Sequence, residues 1–191
     1  MTITVYFAYL IVLSYIILER ALRKGENATS LQTGESDRGS SQIIWIVGTA
    51  GIVLLIIAPI LNSREIGYFN SSPIAWLGIV NMLCGLCLRC KAALILGEFY
   101  TRTLQIVEEQ TIVTQAPYNI IRHPGYFGTY LIDLGVGLAL NNWIVTLIMA
   151  SLGILWRIYR LETEEEMLAD FFGEQYEVYQ NKTWKLVPFV Y

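Results

Sequence analysis

The sequence predicts an all-α, polytopic membrane protein with about five transmembrane helices, the last two a tight hairpin, followed by a cytoplasmic amphipathic helix. Three observations predict it. Of 191 residues, 54% are hydrophobic and 15% charged, where a soluble domain carries about 25% charged residues. The apolar residues gather in long runs instead of alternating with polar ones. The 13 basic residues fall almost entirely in alternate loops. A chain of this length has room for one compact unit, so 1–191 reads as a single membrane-embedded domain.

Each element follows from the thickness of a bilayer. Crossing ~30 Å of hydrocarbon takes roughly 20 apolar residues as a helix, because lipid cannot satisfy exposed backbone groups. The run 3–18 is uninterrupted until Glu19 and Arg20. It has neither the basic flank nor the small-residue cleavage site of a signal peptide, so it reads as a retained first helix. Residues 25–41 are polar and rich in Gly, Ser, Thr and acids, which predicts a flexible cytoplasmic loop. The run 43–61 contains no charge and is the clearest span. After a short outer loop, 62–73, the third span covers 74–97, with Arg89 and Lys91 able to snorkel to the headgroups. Spans 126–140 and 143–159 are separated only by Asn141-Asn142, a break short enough for a helical hairpin anchored by Trp143.

Five crossings put 12 basic residues on one side and only Arg64 on the other. Positive charge marks the cytoplasmic side, so the N-terminus is expected outside and the C-terminus inside. Beyond the fifth span, Leu161, Leu168, Phe172, Tyr176 and Tyr179 line up one apolar stripe, predicting an amphipathic helix on the membrane or against the bundle, with Gly173 as a break. A net charge of −3 and the absence of any Lys/Arg cluster argue against nucleic acid.

Chemistry is expected where two cytoplasmic stretches, 97–125 and 157–184, meet the membrane. His123 is the sole histidine. Alone it reads as structural, but Tyr118, Arg122 and Tyr126 surround it with aromatic faces and a guanidinium that suit a planar base or a cation. The run Glu162, Glu164, Glu165 and Glu166 is either a solvated face or a set of carboxylates for hydroxyl and ammonium groups. Asp133 lies in mid-span, where a charge is a functional candidate; protonation with a hydrogen bond to a neighbour is the alternative. Gly125, Gly128, Gly135 and Gly137 suit close helix packing. Cys84, Cys87 and Cys90 lie within an apolar helix whose periodicity turns Cys84 and Cys90 onto different faces; they read as small packing residues, and no metal site is expected.

Two sets of residues carry a resemblance. The first is Leu96-Gly97-Glu98-Phe99-Tyr100-Thr101-Arg102-Thr103, then 113–126, with Pro117-Tyr118 and Arg122-His123-Pro124-Gly125-Tyr126 at its heart. The second is Arg160, Glu164-Glu165, Leu168, Phe172-Gly173, Tyr176 and Tyr179. Together, over roughly 85–190, they resemble the isoprenylcysteine carboxyl methyltransferase family; a related pattern occurs in phospholipid methyltransferases and sterol reductases. The resemblance implies S-adenosylmethionine as methyl donor on the cytoplasmic side and a lipophilic or prenylated acceptor arriving from the bilayer. It implies that Tyr118, Arg122, His123, Pro124 and Tyr126 belong to the cofactor pocket, within cytoplasmic elements 97–125 and 160–185. Glu164 and Glu165 would bind the cofactor's polar part and Arg160 would orient the acceptor carboxylate. Where the family commonly has glycine this chain has Ala116.

The leading expectation is therefore carboxyl O-methylation of an isoprenylcysteine-like acid. Methylation of phospholipid amines, an NADPH-dependent reduction and a non-catalytic scaffold are the rivals. The acidic pair speaks against the reductase, since a 2′-phosphate prefers arginines.

Overall fold

The computed structural model describes residues 2–23, 39–101, 103–107 and 109–189. Of the predicted polar loop, residues 25–38 lie outside this set, as do Lys24 and Arg102. The described residues form α1 (Ile3–Leu22), α2 (Ser40–Ser63), α3 (Ser72–Leu96), α4 (Pro124–Ala139), α5 (Trp143–Phe172) and α6 (Glu174–Gln180), with one 3-10 turn at Gly97–Phe99 and no strand.

Helix ends sit where the residues demand them. Pro73 and Pro124 open α3 and α4 in the first turn, where the missing N–H costs nothing. The Asn142 side chain accepts from the Val145 amide at 3.0 Å and caps α5. Gly173, at φ 56°, ends α5 with a backbone turn that few other residues adopt.

Four helices, α1, α2, α3 and α5, are long and apolar enough to cross a membrane. The predicted fourth span is shorter than the others: α4 has 16 residues, held between Pro124 and the turn at Asn141-Asn142. It still runs from one end of the bundle to the other. Its start adjoins the ends of α3 and α5, while the Leu140 carbonyl at its finish accepts from Asn62 at the end of α2, at 2.7 Å. Asn142 adds bonds to Asn62 Oδ1 at 2.7 Å and the Ile66 carbonyl at 2.8 Å. The hairpin residues thus tie together the far end of the bundle.

One boundary needs correcting, and the break expected at Gly173 is present. The fifth helix does not stop near 159 but continues to Phe172, because nothing between Trp143 and Gly173 breaks it. The predicted separate amphipathic helix is therefore the last turns of α5 plus the short α6, divided at Gly173.

The closest packing is between α3 and α4. A Cβ on Gly128 would lie 2.6 Å from the Gly85 carbonyl oxygen, and one on Gly135 would lie 2.6 Å from that of Gly78. Backbones approach this closely only where side chains vanish, which is how helices associate without a hydrophobic driving force. Val5, Ala8, Ile79, Met82, Ile132, Val136 and Val145 fill the buried centre around this seam. Cys84 and Cys87 are free and exposed, and Cys90 is free and half-buried.

Candidate active site

Arg122 and His123 stand immediately before Pro124, which forces the preceding backbone out of helix and turns both side chains toward the end of α5. The segment after α6 then runs alongside. The Trp184 amide donates to the Ile120 carbonyl at 2.9 Å, the Arg122 amide to the Trp184 carbonyl at 2.8 Å, and the His123 amide to the Lys185 carbonyl at 3.2 Å. Arg122 locks this arrangement: Nε donates to Glu165 at 2.8 Å, and Nη1 donates to the carbonyls of Gln180, at 3.1 Å, and Thr183.

The acidic run resolves into distinct roles. Glu165 sits among Arg122, His123 Nε2 at 3.2 Å, Lys185 at 3.3 Å and Gln180 at 3.4 Å. Three basic partners around one carboxylate make it a structural hub. Glu164 accepts from the Tyr126 hydroxyl at 2.6 Å and lies 3.7 Å from His123 Nδ1. The Tyr126 hydroxyl in turn accepts from Arg160 Nε at 3.3 Å, and Arg160 also bonds Ser40 at the start of α2. Tyr118, buried, donates to the Ala92 carbonyl at 3.2 Å and accepts at its own carbonyl from the Tyr179 hydroxyl at 2.8 Å. Burial pushes the Tyr118 and Tyr176 phenols well above their ordinary range and Tyr179 up to about 12, so all three stay neutral.

Two cavities meet here. The larger, about 850 Å³, reaches between α1, α2, α4 and α5 and is lined by Tyr126, Arg160 and Glu164 at this end. The smaller, about 110 Å³, lies toward α6 and is walled by Phe99, Leu168, Phe172, Tyr176 and Tyr179. Tyr118, Arg122, His123 and Glu164 line both. Glu165 and Pro124 line neither; Pro124 is buried at the first turn of α4. The structure therefore brings all eight sequence-predicted site residues to one end of the bundle, six of them on a cavity wall. Ala116, where a glycine was expected, is exposed and joined to Pro117 by a cis peptide.

Sequence reasoning missed two charged groups. Arg89 was read as a snorkelling residue, yet it grips Glu19 of α1 with two bonds of 2.8 and 3.1 Å. Tyr100 donates to the same carboxylate at 2.5 Å, and all three line the large cavity. Asp133 is hydrogen-bonded to a neighbour, and that neighbour is Arg157, whose Nη2 lies 2.7 Å from Oδ2. A mid-span acid does need a cation, and Arg157, one helix away, was the available signal.

Comparison with known proteins agrees with the geometry. The model of the isoprenylcysteine carboxyl methyltransferase (ICMT) family matches residues 76–170, the stretch from α3 to α5 that builds this end of the bundle. The chain is 31% identical over 144 residues to protein-S-isoprenylcysteine O-methyltransferase B of Arabidopsis thaliana, covering 71% of this chain and 72% of that one. It is 31% identical over 121 residues to a probable protein-S-isoprenylcysteine O-methyltransferase of Oryza sativa subsp. indica. That match spans 61% of this chain and 62% of the rice protein's length. The fold resembles a solved structure of the eukaryotic intramembrane Ras methyltransferase ICMT with a TM-score of 0.65. At 23% identity that likeness covers 97% of this chain and 63% of the other.

Proposed function

Because the chain belongs to the isoprenylcysteine carboxyl methyltransferase family, we propose that it transfers a methyl group from S-adenosylmethionine to the carboxylate of a lipophilic, isoprenylcysteine-like acid. One observation supports this above the others. A large, mostly apolar cavity inside the bundle and a small, aromatic one outside it share the wall formed by Tyr118, Arg122, His123 and Glu164.

The residues present fit such a donor. Aromatic rings of Phe99, Phe172, Tyr176 and Tyr179 suit a purine, and the Glu164 carboxylate suits a cationic group. The small cavity falls below the ~300–1,000 Å³ usual for ligand pockets, so the donor would extend along the shared wall. When bound, it supplies an electrophilic methyl.

The chain's own task is positioning. An acceptor carboxylate is already ionised at neutral pH and needs no general base. Arg160, buried on the large cavity beside Tyr126 and Glu164, is the group to hold it, a guanidinium matching a carboxylate in shape and charge. Glu165, behind the wall, fixes Arg122 and His123. Aligning the reacting atoms and excluding water then account for the acceleration. The acceptor's tail would lie in the apolar part of the large cavity, and the site would face the cytoplasm, as the 12-to-1 distribution of basic residues supports.

The test is transfer of labelled methyl from S-adenosylmethionine to a farnesylcysteine analogue by detergent-purified protein. Base-labile label is expected in the product, with kcat/KM lowered about 100-fold in Glu164→Gln. Absence of both transfer and donor binding would remove the basis for the proposal.

A further inference from the structure

Asp133 on α4 and Arg157 on α5 face each other inside the bundle, and both line the large cavity. The pair is asymmetric. Arg157 is only 1% exposed and each of its nitrogens is anchored: Nε to the Tyr126 carbonyl at 3.1 Å, Nη1 to the Gly153 carbonyl at 2.6 Å, Nη2 to Asp133 Oδ2 at 2.7 Å. Its guanidinium lies 4.6 Å from the Trp156 ring centroid and 5.6 Å from that of Tyr130. Gly153 makes room for the pair, since a Cβ there would come within 3.0 Å of Arg157 Nη1 and 3.3 Å of Asp133. Arg157 is thus fixed as a support.

Asp133 is different. Only Oδ2 engages Arg157, and the side chain keeps 26% exposure on a wall shared with Ile132, Val136, Met149 and Leu152. Because Arg157 already balances the charge, Oδ1 offers a hydrogen-bond acceptor on a mostly apolar wall that also carries Tyr15 and Thr129. Such an atom suits a neutral donor, a hydroxyl or amide N–H, better than an ammonium ion, which would bring a second cation beside Arg157. Asp133 stands seven residues from Tyr126 on the same helix, or about 10 Å along its axis.

Resting on the reading that this cavity receives a lipophilic acid with its carboxylate near Arg160, we propose that Asp133 selects acceptors bearing a hydroxyl or amide N–H about 10 Å along the chain from that carboxylate. A plain hydrocarbon at this depth leaves Oδ1 dry and unpaired, and sites built to bond a polar group reject analogues lacking it.

The experiment compares two S-alkyl-N-acetylcysteines identical except for one hydroxyl about 10 Å from the carboxylate. Wild-type protein is expected to favour the hydroxylated acid by at least about tenfold in kcat/KM, expressed in KM. Asp133→Leu combined with Arg157→Met, which removes both charges together, is expected to lose the preference. Equal use of the two acids by the wild type, or a preference that survives in the double variant, overturns the proposal. The wild-type comparison decides even where the variant does not fold. Titrating Trp156 fluorescence with the same acids, in protein whose other four tryptophans are replaced by phenylalanine, separates this proposal from methyl transfer itself. Tighter binding of the hydroxylated acid without any methylation keeps the Asp133 subsite and sinks the transferase reading. Methylation with equal binding does the reverse.

Discussion

Replacing Arg122 by alanine would leave Glu165 and the carbonyls of Gln180 and Thr183 without their shared donor. Breaking a buried pair by removing one partner costs about 3 kcal/mol, because the remaining charge stays behind. Arg122→Ala is therefore expected to loosen residues 181–186 from 120–123. Trypsin should then cut after Lys182 and Lys185 faster than in the wild type, alongside a lower Tm. At this scale the sequence was informative wherever the chemistry was local. Tyr118, Arg122, His123 and Tyr126 lie within nine residues and announced themselves by composition. Partners distant in the chain did not: Glu19 and Arg89 are 70 residues apart, and Asp133 and Arg157 are 24 apart. Nor does spacing tell Glu164 from Glu165. Adjacent residues on a helix point about 100° apart, so one faces the cavity and the other the basic cluster behind it.

Among the elements, the α3–α4 seam sets the position of the candidate site, since α4 begins at the wall the two cavities share and α3 supplies Arg89. Gly85→Ala would drive a methyl group into the Gly128 carbonyl and the Leu131 side chain. Overpacking of this kind typically costs about 1–3 kcal/mol. Thermal unfolding in detergent is expected to show a lower Tm for Gly85→Ala, with Gly48→Ala unchanged, because a Cβ at Gly48 meets nothing within 4 Å. Hydropathy revealed all five long runs because lipid imposes one requirement on every residue of a span. It placed the end of the apolar span at 159, which is not the end of the helix. The charges from Arg157 to Glu166 mark a change in what surrounds α5, while the apolar stripe from Leu161 and the break at Gly173 marked the rest of it.

Helices α1 to α5 alternate in direction, and the proposed orientation puts the end of the bundle that carries the candidate site on the cytoplasmic side. With the candidate site on the cytoplasmic side, a cysteine placed at Asn70, in the loop between α2 and α3, is expected to react with a membrane-impermeant maleimide in intact cells. One placed at Glu174, beside the site, is expected to react only after permeabilisation. Both are introduced with Cys84, Cys87 and Cys90 replaced by serine, and the reverse pattern would invert the assigned orientation.

One further consequence comes from α5. Its 30 residues run without interruption from the Asn62–Asn142 knot to the glutamates of the site, a rod about 45 Å long. A rod cannot shorten. In a thinner or thicker bilayer it must tilt or slide, at a cost of fractions of a kcal/mol for each ångström of mismatch. Glu164 rides on that rod, while an amphiphile takes its level from the headgroups around it. The height of the candidate site above the lipid is thus tuned by the acyl chains of the host membrane, and under the proposed function lipid composition becomes a setting of the methyl transfer.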